Sequence, residues 1–362
     1  MILDKLSIVN FKNIGDEQIE LSHGINCFVG DNGAGKTNIL DAVHYLSLAR
    51  SMHTITDAQS VCHTADGFIV DGGFLHDDER REQVVCAYSR RGGKTLKRNG
   101  KEYDKLSDHV GLFPIVVVSP ADTSLISDSA EERRHYINRL ISQLDRGHLA
   151  AMIRYNAALQ ERNKLLKTSP TEDMLLIYDT MLAAAADIIF SRRTEIIERM
   201  LPLVESYYAL LAEEREAVSI EYRSELQNAP LIELLLAARQ KDFVNEHTTS
   251  GVHRDDILFT IAGHPLRKYG SQGQQKSFLI ALKLAEYTLL AKHCGERPIL
   301  LLDDLFDKLD MRRVAQLLKL VGGEEFGQIL ITDCNKHRLE YTLNEAGAEY
   351  KLFNIAEGHI AR

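Results

Sequence analysis

Gly30-Asp31-Asn32-Gly33-Ala34-Gly35-Lys36-Thr37 constrains this chain more than any other stretch. It has the form GxxxxGK[ST], follows the apolar run INCFV and precedes TNILDAVHYLSLA, which reads as a helix. Strand, glycine loop and helix in that order make a phosphate cradle. The glycines let the backbone wrap tightly, so successive N–H groups and the helix N-terminus face anionic oxygens. In such a cradle Lys36 reaches the β- and γ-phosphates of ATP and Thr37 ligates Mg²⁺. Residues Gly30 to Thr37, with Asn38 in the first helical turn, are the candidate nucleotide ligands.

A second segment completes the hydrolytic pattern. In Pro298-Ile299-Leu300-Leu301-Leu302-Asp303-Asp304 the apolar residues predict a buried strand that ends in two carboxylates. Asp303 is placed to hold the Mg²⁺ shell, and Asp304 to orient or deprotonate the attacking water. A third segment, Tyr269-Gly270-Ser271-Gln272-Gly273-Gln274-Gln275, opens a helix that is apolar nearly all round. Ser271 suits an N-cap, and the free amides behind it suit an anion. Because the chain already has one phosphate loop, this helix end is expected to meet the γ-phosphate held by a second copy. Leu305 to Asp310 would then line the subunit boundary.

The rest of the chain frames these motifs. Residues 1–122 read as strands and short connections, with Asn99-Gly100 as a hairpin turn. Between 123 and 250 glycine is reduced to Gly147 and apolar residues take helical spacing, as at Tyr136, Leu140 and Leu144. A break and helix restart is expected at Ser169-Pro170, and boundaries or kinks at Pro202 and Pro230, giving helices too short for a long coiled coil. Strand–helix alternation returns in 251–362. The expected organisation is therefore a head lobe over 1–122, a helical arm over 123–250 and a second head lobe over 251–362, with the two lobes sharing one sheet system.

Composition excludes several classes. With 362 residues, 44% hydrophobic, 26% charged, 7 Pro and 23 Gly, the chain is neither collagen-like nor disordered. Apolar runs such as IVVV and ILLL are strand-length, short of the roughly 20 residues of a membrane span. MILDKLSIVNFKN carries charges where a signal peptide is apolar. Cys27, Cys62, Cys86, Cys294 and Cys334 form no CxxC, so neither a zinc site nor a disulfide scaffold is indicated, and a cytoplasmic location is expected. The net charge of −9 hides a local +6 over residues 80–105, so nucleic acid is not excluded as a partner.

Taken together, NFKN (10–13), GDNGAGKTNILDAV (30–43), SPAD (119–122), ERRHYINRLISQLD (132–145), QERN (160–163), SGVHRDD (250–256), GSQGQQKS (270–277) and LLLDD (301–304) resemble the RecF family of bacterial recombination-repair ATPases. That family is related to the ABC-type heads of structural-maintenance-of-chromosomes (SMC) proteins. The resemblance spans essentially the whole chain. It implies an α/β, ABC-type P-loop ATPase head with an antiparallel β subdomain, split by an inserted helical arm. It also implies an ATP-dependent homodimer, weak DNA-stimulated hydrolysis, and binding without sequence specificity at single-strand gaps and duplex–single-strand junctions. The partners implied are RecO and RecR, which with such a protein help load RecA.

Carried over by position, Lys36 and Thr37 match the phosphate-loop pair, Asp303 the metal carboxylate and Asp304 the catalytic acid. Ser271, Gly273 and Gln274, with Gln272 between them, match the signature that contacts the opposite ATP. Lys12 stands where relatives usually have Arg, as a further phosphate contact. The chain departs from the pattern at Val252, where relatives tend to have Pro, and at Asp307, where they have Ser. After the run QILIT, Asp333 and Cys334 stand where transporter ATPases carry a switch histidine, and His337 lies too far along to replace it. A shorter Asp304 in place of the usual Glu predicts slow turnover.

For DNA, the candidates are Arg90, Arg91, Lys94, Lys97 and Arg98 in the basic hairpin region, then Arg133 and Arg134 on the first arm helix, beside Arg139 and Arg146. No two further ligands stand at useful spacing from His253, so a metal site is not indicated; Arg254 and Asp255 read as a structural ion-pair hub positioning the signature segment, or as part of the dimer contact. Two other readings stay open. One is a transporter-like nucleotide-binding subunit, although about 230 residues separate loop and signature here. The other is an architectural head that dimerises on ATP without meaningful hydrolysis.

Overall fold

The computed structural model describes all residues except 54, 169, 213–215, 305–310 and 362. It divides into two compact units. The first comprises Met1–Asp122, Tyr207–Glu213 and Lys276–Arg362; the second comprises Thr123–Ser206 and Glu214–Gln275.

The first unit contains two six-stranded sheets. One is antiparallel, built from β1 (Ile2–Phe11), β2 (Ile14–Glu20), β4 (Gly67–Leu75), β5 (Arg81–Ser89), β6 (Gly93–Arg98) and β7 (Lys101–Glu102), in the order β2-β1-β4-β5-β6-β7. Its strands alternate between buried and accessible residues, as a sheet with one face in water does. The β6–β7 turn uses Asn99 and Gly100, both at positive φ (51° and 77°), the geometry an Asn-Gly hairpin requires.

The other sheet draws β3 (Ile25–Val29) and β8 (Ile115–Val118) from the first third of the chain. It takes β12 (Ile299–Leu302), β13 (Ile329–Asp333), β14 (Tyr350–Ala356) and β15 (His359–Ala361) from the last. The order is β15-β14-β3-β13-β12-β8, parallel throughout except at β15. Here β3, β12 and β13 are buried along their whole length, which is why their sequences are unbroken apolar runs rather than alternations. Helix α1 (Lys36–Leu48) is buried nearly all round. Its Ile39, Leu40, Val43 and Leu46 join Leu3, Leu6 and Phe68 of the antiparallel sheet and Phe28, Leu301 and Leu330 of the parallel one in a single core.

The second unit holds α2 (Ser124–Ser127), α3 (Ala130–Leu144), α4 (Arg146–Leu166), most of α5 (Glu172–Ala212), α6 (Leu231–Asn245) and α7 (Leu266–Tyr269). It also holds the three-stranded antiparallel sheet β11-β10-β9, formed by β9 (Val218–Arg223), β10 (Asp256–Ile261) and β11 (His264–Pro265). Helix α8 (Gln272–Cys294) begins in this unit and continues in the first, together with α9 (Met311–Val321) and α10 (Lys336–Glu345).

Three expectations change. Residues 123–250 are not wholly helical, and the boundary at 250 divides a ladder: β9 pairs with β10 from Arg223↔Asp256 to Val218↔Ile261, which keeps 251–275 with the second unit. Pro202 ends nothing. The 41-residue α5 runs through it, with Ile196, Ile197, Met200, Val204 and Tyr208 buried on either side. Finally, α5 is long and apolar enough to cross a membrane by length and composition, although no such stretch was expected. Its Leu182, Ala185, Ala186 and Ile189 pack instead with Ala151, Tyr155, Leu231 and Leu235 in the core of the second unit.

Candidate functional site

The phosphate loop sits at the C-terminal end of β3, held on two sides. Gly30 packs so closely on β14 that an added Cβ would lie 2.1 Å from the Ile355 carbonyl oxygen. From the turn after β14, Gly358 N–H donates to the Ala34 carbonyl (2.8 Å). Gly33 and Gly35 take φ of 82° and 112°, values that disfavour other residues. Asn13 braces the outer wall: its Nδ2 donates to the Gly33 carbonyl (3.2 Å) and its Oδ1 accepts from Asn38 Nδ2 (2.7 Å). Lys36 is 4% exposed, and its ammonium donates to the carbonyls of Gly30 (2.8 Å) and Asp31 (2.9 Å). A buried cation whose partners among the described residues are loop carbonyls is matched to an anion at the loop mouth.

Strand β13 lies between β3 and β12, and this order brings loop and carboxylates together. Thr37 Oγ1 donates to Asp303 Oδ1 at 2.8 Å, joining residues 266 positions apart. Thr332, at the end of β13, donates its hydroxyl to the same Oδ1 (2.8 Å) and accepts the Asp304 N–H (2.9 Å). Asp303 N–H in turn donates to the Val118 carbonyl on β8 (2.9 Å). Asp304 adopts φ 44°, a left-handed conformation that costs a non-glycine residue roughly 1 kcal/mol. The hydroxyl of Thr37 and the carboxylate of Asp303 are hard oxygen donors side by side, a set that fits Mg²⁺.

Lys12, expected as a further phosphate contact, is paired with a carboxylate. Its ammonium is 2.6 Å from Asp41 Oδ2, and that buried carboxylate also accepts from Ser51 Oγ (2.8 Å) and the Met52 N–H (2.6 Å). Next to this cluster, partial desolvation and then the Lys12 ammonium hold His53 below its ordinary pKa, against the opposing pull of Asp41 and Asp303.

The signature residues belong to the second unit. Ser271 caps α8 in a reciprocal box: Gln274 N–H donates to Ser271 Oγ (3.2 Å), and Ser271 N–H donates to Gln274 Oε1 (2.6 Å). Gln274 Nε2 also donates to Glu216 Oε2. Ser271 and Gln272 are exposed, while Gly273 and Gln274 are half-buried. Further along α8 the fully buried Lys283 lies 3.0 Å from Asp122, the acid of the SPAD segment. The expected boundary residues Leu305 to Asp310 lie outside the described residues.

Several basic candidates have structural work. Arg98 makes a bidentate pair with buried Glu82 (2.5 and 2.6 Å), and that pairing holds the Glu82 carboxyl below its ordinary pKa. Lys94 donates to the Ala49 carbonyl (2.8 Å) and Asp57 Oδ1 (3.0 Å). Arg133 is paired to Asp256 (2.8 Å) and also donates to the Leu125 and Asp128 carbonyls. Arg134 donates to the Asp255 carbonyl (2.7 Å), with its pKa lowered by burial. Arg90, Arg91 and Lys97 are exposed.

The expected Arg254–Asp255 hub has a different cation. Arg193 donates to Asp255 Oδ2 and to the Val252 carbonyl, both at 2.7 Å, and Tyr222 donates to the same carboxylate. Among the described residues the Arg254 side chain reaches the Thr248 carbonyl (3.3 Å) and no carboxylate. A second hub explains QERN. Arg162, 0% exposed, donates to Asp179 (2.6 Å), Asp242 (2.7 Å) and Thr248 Oγ1 (2.8 Å), and Arg239 also donates to Asp179 (2.6 Å). Among the described residues no cluster of three metal-ligating side chains occurs.

Sequence reading missed Asn13, Asp41, Thr332 and Gly358 as parts of this site. Asn13 and Asp41 lie inside the NFKN and GDNGAGKTNILDAV motifs, and Thr332 is the polar residue closing the apolar run ILI before Asp333.

A parallel sheet with a phosphate loop and a paired carboxylate, joined to an antiparallel subdomain and interrupted by an arm that carries a capped signature helix, defines an ABC-type nucleotide-binding head of the SMC class. The family described as RecF/RecN/SMC N terminal domain matches residues 2–358. The DNA replication and repair protein RecF of Phocaeicola vulgatus is 42% identical over 99% of this chain and 98% of its own. That of Parabacteroides distasonis is 43% identical over 99% of each. The chain belongs to the RecF family. Among solved structures, the recombination mediator protein RecF with ATP, of the RecFOR pathway, superposes with a TM-score of 0.88 at 29% identity, covering 99% of this chain and 97% of that one. An Smc head bound to the C-terminal winged-helix domain of ScpA superposes at 0.57 and 16% identity, covering 99% and 96%, a likeness of fold.

Proposed function

We propose that this chain is an ATP-dependent DNA-binding protein of recombinational repair: a slow, DNA-stimulated ABC-type ATPase. Its ATP-bound homodimer clamps DNA at single-strand gaps or duplex–single-strand junctions, and with RecO and RecR it helps load RecA. The 2.8 Å bond between Thr37 and Asp303 carries the nucleotide part of this reading, because it sets a phosphate loop and a metal-binding carboxylate in one place. The relatives' name and the RecF–ATP structure support the rest.

In this reading the loop N–H groups and Lys36 hold the β- and γ-phosphates, with Lys36 exchanging its carbonyl partners for phosphate oxygens. Thr37 and Asp303 supply oxygen ligands to Mg²⁺, which when bound neutralises charge on the transferring phosphoryl group. Asp304 accepts the proton of the attacking water at its carboxylate. Ser271, Gly273 and Gln274 of a second copy close over the γ-phosphate, so ATP joins two molecules and its loss releases them. Residues 1–122 and 276–362 supply the nucleotide lobes, and the second unit, which holds Ser271, supplies the arm. Arg90, Arg91 and Lys97 remain as phosphate-tracking cations on the basic hairpin.

Hydrolysis is slow for two reasons. Asp304 is one methylene shorter than glutamate, and at the switch position Asp333 is held by Arg338 (3.0 Å) instead of reaching for a phosphate.

The test is complementation between Lys36→Met and Ser271→Arg, followed by sedimentation with ATP and gapped DNA. Each variant alone should stay monomeric, while the mixture should assemble through its one intact composite site. A mixture that assembles no better than its components refutes shared half-sites. Turnover of tens per second without DNA refutes the slow clamp.

A further inference from the structure

We propose that Thr332 is a positioning residue for the metal carboxylate, fixing Asp303 and Asp304 at once through one hydroxyl. Asp303 and Asp304 stand where the β12 ladder has ended, and among the described residues Asp303 keeps one backbone bond, to Val118. Its carboxylate is aimed by two hydroxyls. Thr37 belongs to the phosphate loop and first helical turn, whereas Thr332 is set in the sheet, paired to Phe28 of β3 and fully buried.

A threonine hydroxyl has one proton and two lone pairs. Here the proton goes to Asp303 Oδ1 (2.8 Å) and a lone pair takes the Asp304 N–H (2.9 Å), so both bonds share one orientation. The accepted N–H belongs to the residue held at φ 44°, so the bond to Thr332 also secures the left-handed turn that aims Asp304. A side chain that orients a metal ligand in this way changes metal affinity by roughly ten- to a hundredfold when removed.

The inference rests on the reading of this site as one for ATP and Mg²⁺. The experiment compares wild type, Thr332→Ser, Thr332→Val and Thr332→Ala in the full chain. A fluorescent ATP analogue is titrated at a series of Mg²⁺ concentrations and with Mg²⁺ chelated, alongside ATP turnover. Val and Ala should raise the Mg²⁺ needed for half-maximal nucleotide binding roughly tenfold or more and slow turnover in step. Affinity without Mg²⁺ should be unchanged, and Ser should restore the wild-type Mg²⁺ curve.

Identical Mg²⁺ curves for wild type, Val and Ala overturn the proposal. So does an equal loss of affinity with and without Mg²⁺, or loss of the fold in both Val and Ala, since each gives Thr332 a packing role only. A wild-type protein whose nucleotide binding ignores Mg²⁺ refutes the reading of the site itself, a result distinct from all of these.

Discussion

Gly30→Ala isolates the contact that seats the phosphate loop. Gly30 is not at positive φ, so alanine meets no conformational barrier there, and its effect is one of space. The added Cβ would lie 2.1 Å from the Ile355 carbonyl oxygen and 3.1 Å from its carbon, whereas ordinary contact begins near 3.4 Å. Loop and β14 must part by about 1.3 Å, the difference between the two distances. Overpacking of this kind costs ~1–3 kcal/mol. Separation also threatens the Gly358–Ala34 bond, worth ~1 kcal/mol. The expected loss is therefore ~2–4 kcal/mol of unfolding free energy, read by urea titration. Because a 1 Å misplacement of reacting groups can cost ~100-fold in rate, ATP turnover should fall by about two orders of magnitude, and a fluorescent ATP analogue should bind more weakly. Gly33 supplies the contrast. It sits at φ 82° with no atom within 4 Å of where a methyl would stand, so Gly33→Ala should cost only the left-handed penalty of roughly 1 kcal/mol. If Gly30→Ala binds the analogue within threefold of wild type, or Gly33→Ala is the more damaging, the loop is not seated by β14.

In the second unit, Arg162→Met leaves Asp179 and Asp242 buried with Arg239 as the remaining cation. It should cost about 4 kcal/mol in urea unfolding, and adding Asp242→Asn should recover a large part; a loss below 1 kcal/mol would mean the charges do not govern this core. Reversing Arg90, Arg91 and Lys97 to Glu should weaken DNA binding and flatten its salt dependence while ATP binding stays intact, and an unchanged salt slope removes the patch. Arg98→Glu is the wrong probe, because it sets two carboxylates against each other at Glu82. Burial holds His109, His148 and His253 at about 4, below the ordinary 6.5. Over that window the unfolded chain binds more protons, so stability present at neutral pH is lost as pH falls from 6.5 toward 4, with a slope approaching ~1.4 kcal/mol per pH unit for each histidine; a flat profile over this range would show that they are not buried neutral.

What the sequence made legible was contiguous. The phosphate loop, the Asp303-Asp304 strand end and the Ser271 cap each lie within a few residues, and each has a local pattern that permits little else. The interleaving of early and late strands in one sheet followed from where those motifs fell. The basic side chains were less legible. Lys12, Lys94, Arg98, Arg133 and Arg134 looked available because their partners Asp41, Asp57, Glu82, Asp256 and Asp255 are distant in sequence or unremarkable in composition. Arg193 was overlooked beside Asp255 because 62 positions separate them.

Pro202 shows how tertiary packing overrides a local rule. A proline in a helix interior costs ~3 kcal/mol, which in isolation would end the helix. Burial of a large apolar side chain returns ~1.5–3 kcal/mol, and Met200, Val204 and Tyr208 are all buried within six positions of Pro202. Continuing the helix is therefore less costly than exposing that face, and α5 stays one rod of 41 residues. The same rod passes from the second unit into the first at Tyr207, whose hydroxyl is 2.8 Å from Thr288 on α8.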